Sequence, residues 1–166
     1  MEKAITMISY NQKEFFIFDL DGTLVNSNDL HESAFLDALD GHSVEFEYSK
    51  YHGQKTYDVF LRLGFSPDLS RVLTQKKQLK YRTLILNGKI KEIRGASLIL
   101  DYLHGERKLI YLCTGASRKS VEMLLSSLGW NTYFSDVICG DDVSESKPSP
   151  LILNTLIKRN NVEKSK

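Results

Sequence analysis

The sequence predicts an α/β fold: a doubly wound layer of parallel strands flanked by helices, with a helical insertion after the first strand. Three observations predict it. Short apolar runs at 15–18, 109–113 and 137–139 lack the alternation of a half-exposed strand. Helical patterns lie before, between and after the last two runs. The stretch from Asn26 to Glu92 holds helical pieces and no convincing strand.

Phe15-Phe16-Ile17-Phe18 and Leu109-Ile110-Tyr111-Leu112-Cys113 are long enough for strands covered on both faces. Within the insertion, helices are predicted over 29–39, about 56–63 and 69–86. A helix from Ala96 to His104 stops at Gly105. The next takes Ser117 as N-cap, places Val121, Met123, Leu124, Leu125 and Leu128 on its apolar positions, and stops at Gly129. Trp130 is expected to pack beneath the sheet. The last helix takes Ser149 as cap and Pro150 as its first residue, running through Leu151, Ile152, Leu156 and Ile157. Lys158 to Lys166 form a polar end free to fray.

A chain of 166 residues with 42% hydrophobic content buries one core with at most a modest insertion. A formal net charge of +1 leaves no electrostatic footprint for nucleic acid or an anionic membrane. No apolar run approaches the roughly 20 residues of a membrane span. Met1 to Gln12 carry neither an apolar signal region nor a small-residue cleavage site, so a cytoplasmic location is expected. Cys113 and Cys139 sit in apolar stretches without metal-ligand spacing, and read as two small buried strand residues.

The chemistry concentrates at strand ends. Phe18 runs straight into Asp19-Leu20-Asp21-Gly22-Thr23, two carboxylates one residue apart at a place where open α/β sheets bind ligands. Such acids repel unless a cation sits between them or one takes up a proton. Asp21-Gly22 is also a strong hairpin-turn dipeptide. An EF-hand loop fails, because Gly22 comes too early and Leu30 occupies the twelfth place. Alone, this segment leaves turn and site both open. Cys113-Thr114-Gly115-Ala116-Ser117 then joins a hydroxyl to backbone N–H groups at a helix start, a phosphate-binding concavity or an ordinary cap turn. In Ser146-Lys147-Pro148-Ser149-Pro150, prolines stiffen the backbone around a single lysine. Adjacent parallel strands bring all three to one edge of the sheet, and together they form a phosphotransfer constellation.

These segments resemble the haloacid dehalogenase superfamily of phosphohydrolases: Asp19-Leu20-Asp21-Gly22-Thr23 its first motif, Thr114 with Gly115 its second, and Lys147-Pro148 its third. The resemblance covers Lys13 to Asn161, with Gly95 in a family-like place. Leu24-Val25-Asn26-Ser27, Leu30-His31 and Ala34-Phe35 resemble the start of the helical cap in phosphoglycolate phosphatase and β-phosphoglucomutase relatives. Asn26 stands where an aspartate is frequent. The resemblance implies a Rossmann-like three-layer core of parallel strands, residues 13–25 and 92–166, with a helical cap inserted at residues 26–91. It implies a Mg²⁺-dependent phosphatase acting on a small phosphorylated metabolite. Asp19 would be the nucleophile that forms an aspartyl-phosphate, and Asp21 the general acid and base. Thr114, Gly115 and Lys147 would hold the phosphoryl group, and Asp19 with the Asp21 carbonyl would bind Mg²⁺. A hexose-phosphate mutase like β-phosphoglucomutase is the alternative; a truncated, catalytically impaired relative is another.

The family's fourth motif, an acidic pair, would follow the helix that starts near Pro150, and the chain stops at Lys166. The core is therefore expected to be incomplete at its C-terminus, to bind metal weakly and to self-associate through the open edge of strand 15–18. Asp141-Asp142 lies upstream of Lys147 and so outside that position. His31 is expected either near the cap hinge or on an exposed helix face. Lys55, Arg62, Lys80 and Arg82 are cap cations that meet a substrate's anionic tail or serve as solvated helix charges. His42, His52 and His104 have no partner spacing and are given no catalytic part.

Overall fold

The structure is a computed structural model that describes residues 14–145 and 147–162. The expectations for the segment up to Lys13, for Ser146 and for the tail from Glu163 lie outside the described residues.

Three parallel strands form the central sheet: β1 (Phe15–Phe18), β4 (Leu109–Cys113) and β5 (Asp136–Ile138), in the order β1-β4-β5. Phe16 lies opposite Ile110 and Phe18 opposite Leu112, while Cys113 pairs with Ile138. A strand's period of two sends alternate residues to opposite faces. Phe16, Phe18, Ile110 and Leu112 join one core with helices α4 (Ala96–Gly105) and α5 (Arg118–Leu128) and with Trp130. Phe15, Ile17, Tyr111, Cys113 and Ile138 meet α6 (Leu151–Arg159) on the other face. The result is the three-layer α/β architecture expected from apolar runs without alternation. Trp130 is buried as expected, and its indole N–H donates to Ser97 Oγ at 3.2 Å.

Boundaries differ in ways that have local causes. β5 begins at Asp136 because the Ser135 N–H already donates to the Ile110 carbonyl at 2.7 Å. Cys139 leaves the ladder to start a short 3₁₀ turn, Gly140–Asp142, with its N–H on Asp142 Oδ2 at 2.8 Å. It is buried, but it follows the strand. The last helix starts at Leu151, with Pro150 in the cap position.

The insertion holds α1 (Asn28–Leu39), α2 (Thr56–Arg62) and α3 (Pro67–Leu86), around a second cluster that includes Phe35, Leu39, Tyr48, Val59, Phe60 and Leu73. Helix α3 starts two residues before expectation: Pro67 takes the first position, and Ser66 Oγ accepts the Leu69 N–H at 3.3 Å. It also packs against α5 of the sheet layer. One correction concerns strands. Val25–Asn26 (β2) and Lys91–Glu92 (β3) pair antiparallel where the insertion leaves and rejoins the core. A two-residue strand whose side chains, Lys91 and Glu92, are exposed shows no alternation, so nothing in the pattern marks it. Among the described residues no helix is long and apolar enough to cross a membrane.

Candidate active site

The sheet's carboxyl edge faces the insertion across a cavity of about 490 Å³. That is a volume suited to a small-molecule ligand. Asp19 follows β1 directly and lies in the cavity wall. The chain then bends sharply: the Leu20 carbonyl accepts the N–H groups of Thr23, Leu24 and Val25 at 3.2, 2.9 and 3.1 Å. Gly22, at φ +75°, supplies the left-handed conformation this bend requires. Turn and site are thus the same feature.

Lys147 reaches back from beyond β5. Its ammonium donates to Asp19 Oδ1 at 2.7 Å and to the Cys113 carbonyl at 3.2 Å. The 115–117 loop after β4 also lines the cavity. Thr114 itself is fully buried: its Oγ1 accepts the Ala116 N–H at 3.1 Å and lies 3.5 Å from Asp21 Oδ2. Ser117 occupies the cap position of α5, but its hydroxyl turns to Ser120 at 3.0 Å. The helix N-terminus is bound instead by Asp141, whose Oδ2 accepts the Arg118 N–H at 2.7 Å. Asp142 pairs with the Arg118 guanidinium, so both acids serve the architecture of this edge.

Three glycines let three loops close on one another. A Cβ on Gly115 would stand 2.5 Å from the Gly53 carbonyl oxygen, and one on Gly140 would collide with the Gly115 carbonyl. Gly53 belongs to the insertion, so its backbone rests directly on the loop after β4. The Lys55 ammonium donates to the Val143 and Ser144 carbonyls, which ties the same segment to the loop after β5.

Asp21 sits among donors. Ser27 Oγ donates to its Oδ1 at 2.6 Å, and His31 Nε2 lies 3.1 Å from the same oxygen. His31 Nδ1 lies 2.7 Å from the Lys77 ammonium, which hovers 4.8 Å above the rings of both Phe35 and Tyr81. His31 stacks on Tyr81 with centroids 4.1 Å apart. The ammonium can only donate, so Nδ1 accepts and Nε2 carries the proton toward Asp21. Burial pushes the Asp21 carboxyl up, but His31, the Ser27 hydrogen bond and Lys77 outweigh it and hold the group well below the usual carboxylate range. Burial and the neighbouring Lys77 charge lower His31. Burial brings Lys77 down to about 7.

Asp19, Asp21, Gly115 and Lys147 therefore meet at one cavity, and His31 reaches Asp21 as the cap-hinge expectation required. The cap cations behave otherwise. Besides Lys55, Arg62 holds Gln54 at 2.7 Å, Lys80 pairs with Asp37 at 2.7 Å and Arg82 bonds the Gln78 carbonyl at 3.1 Å. Lys77, which sequence reasoning missed, is the insertion's cation at the cavity. Its signal was present: Ser70, Leu73, Lys77, Tyr81 and Ile85 form the buried face of α3, and a lysine on such a face demands a partner. His52, given no part by spacing, also lines the cavity.

No set of three His, Cys, Asp or Glu side chains clusters among the described residues. The acid at the cavity beside Lys147 is Asp19, an oxygen donor. Mg²⁺ is commonly held by one or two carboxylates together with substrate phosphate and water, and the donor set fits that kind of site.

A sequence model of haloacid dehalogenase-like hydrolases matches residues 16–166. The fructose-1-phosphate phosphatase of Escherichia coli is 24% identical, over 85% of this chain and 77% of its own length. A pyrophosphatase of Bacillus mycoides is 28% identical over 81% of this chain, which spans 63% of that relative. Among solved structures, CbbY from Rhodobacter sphaeroides in complex with phosphate superposes with a TM-score of 0.78 at 22% identity, covering 90% of this chain and 73% of that one. This last likeness is one of fold.

Proposed function

Because the chain belongs to the haloacid dehalogenase-like hydrolases, we propose that it is a phosphatase that hydrolyses a small phosphate monoester through an aspartyl-phosphate on Asp19. The observation that carries the reading is the pairing of Lys147 with Asp19 at 2.7 Å, two residues before an Asp21 held ready by Ser27 and His31. An Asp19 oxygen attacks phosphorus, and the bond to the leaving alcohol oxygen breaks. Asp21 gives that oxygen a proton. In the second step water attacks phosphorus, its proton passes to Asp21, and the Asp19–phosphorus bond breaks to release phosphate. The donors around Asp21 keep it ionised in the free chain, the form that accepts the water's proton. A phosphate dianion arriving beside it raises its pKa toward the form that donates.

Lys147 balances charge on Asp19 and the phosphoryl oxygens, and the backbone N–H groups of the 115–117 loop support those oxygens. Thr114 acts from behind the wall by fixing this loop through the Ala116 N–H. Mg²⁺ would be held by the Asp19 carboxylate and the Asp21 main-chain carbonyl, where it supplies charge neutralisation to the phosphate. Residues 26–91 act as a cap, with Gly53 and Lys55 in contact with the core loops. Closing that cap excludes water and strengthens every charge interaction inside. Relatives named as fructose-1-phosphate phosphatase and pyrophosphatase mark the range of substrates to test.

The test is phosphate release from a panel of phosphate monoesters, with and without Mg²⁺, by the native chain and by Asp19→Asn. Release that needs Mg²⁺ and falls by several orders of magnitude in Asp19→Asn is expected. Equal release by the two chains rules the reading out.

A further inference from the structure

The same cavity carries information about what leaves with the alcohol oxygen. Its cations among the described residues are Lys147 and Lys77. Both are engaged: Lys147 with Asp19, and Lys77 with His31 and two aromatic faces. The other cationic side chains of the insertion that approach this region are turned to protein acceptors. Lys55 holds two core carbonyls, Arg62 holds Gln54, and Arg82 is bound within its own helix. What the insertion adds to the wall instead is amide, hydroxyl and ring surface, from Asn28, Thr56, Gln78 and Tyr48.

That inventory discriminates among phosphorylated molecules. The first phosphate uses Lys147 and the loop after β4. A second phosphate or a carboxylate at the far wall would be desolvated beside Asp21 with no cation left to pair it, and a buried unpaired charge is strongly disfavoured. Neutral hydroxyls fit amides and a threonine hydroxyl, which both donate and accept. Ring faces suit the C–H surface of a sugar.

We propose that the insertion's wall receives a neutral, hydroxyl-bearing leaving group, so the substrate is a monophosphate ester of a sugar or polyol that bears no second anionic group. This rests on the phosphatase reading of the same site, and its test separates the two. Asp19→Asn is titrated calorimetrically in Mg²⁺ with fructose 1-phosphate, fructose 1,6-bisphosphate, phosphoglycolate and pyrophosphate, and the native chain is assayed for phosphate release from each. Fructose 1-phosphate is expected to bind at least about tenfold more tightly than any of the other three, with the same order in kcat/KM. An anionic-tailed ligand that binds equally or better overturns the inference and leaves the phosphatase reading standing. Absence of Asp19-dependent release from every ester overturns the phosphatase reading, while the binding order still decides the wall's preference. Gln78→Arg, which adds a cation to that wall, is expected to raise the affinity for the bisphosphate relative to the monophosphate several-fold. An unchanged ratio shows that the tail lies elsewhere and overturns the proposal.

Discussion

Lys77 holds a proton that a buried side chain releases easily, and the consequence for stability can be worked out in sign. Its pKa is about 7 in the folded chain and 10.5, the ordinary value, when unfolded. Below about pH 7 both states carry the proton, and the buried charge costs stability in full. Between about 7 and 10.5 the unfolded chain binds the additional proton, so stability rises with pH. Asp21 acts at the other end: its lowered carboxyl stabilises the fold above the ordinary carboxylate range, and this is lost as pH falls below it. Melting temperatures of the native chain and Lys77→Met should therefore diverge in the native chain's favour as pH is raised from about 6.5 to about 9. A difference that stays constant across that window would show that the lysine does not titrate there. The histidine and lysine escaped a reading by motif because they come from α1 and α3, which no spacing rule joins. The one visible sign was a lysine on the buried face of α3.

At the scale of elements, the site is an agreement among three loops, each held by the backbone of the next. The loop after β4 meets Gly53 of the insertion on one side and Gly140 on the other. Substituting Gly115→Ala places a methyl 2.5 Å from the Gly53 carbonyl oxygen, so the segment carrying Gly53 and Lys55 has to retreat. Turnover is expected to fall on the order of 10²-fold, the effect of moving a positioning group by about an ångström, with far-UV circular dichroism unchanged. Native turnover in Gly115→Ala would mean that cap contact at this point is dispensable. The strands and most helices were legible because apolar runs and helical periodicity are local. The glycine contacts were not, since they join positions 53, 115 and 140 through space. The same holds for Asp141, which binds the N-terminus of α5 in place of the expected Ser117.

For the molecule as a whole, the order of strands does most of the work. With β4 between β1 and β5, the ends of three parallel strands deliver Asp19, the 115–117 loop and Lys147 to one edge, which is why separate strand-end motifs could be read as one site from the sequence. The paired strands β2 and β3 were invisible beforehand, yet they mark where the insertion joins the core and so aim His31 and Lys77 at Asp21. Everything then depends on Asp19 carrying the phosphoryl group. The most direct measurement is acid quenching of the chain during turnover of a monoester in Mg²⁺, followed by digestion and mass analysis. The account predicts a phosphoryl adduct on the peptide containing Asp19, absent from Asp19→Asn. Sustained Asp19-dependent turnover with the adduct on another peptide, or with none at any quench time, would contradict it.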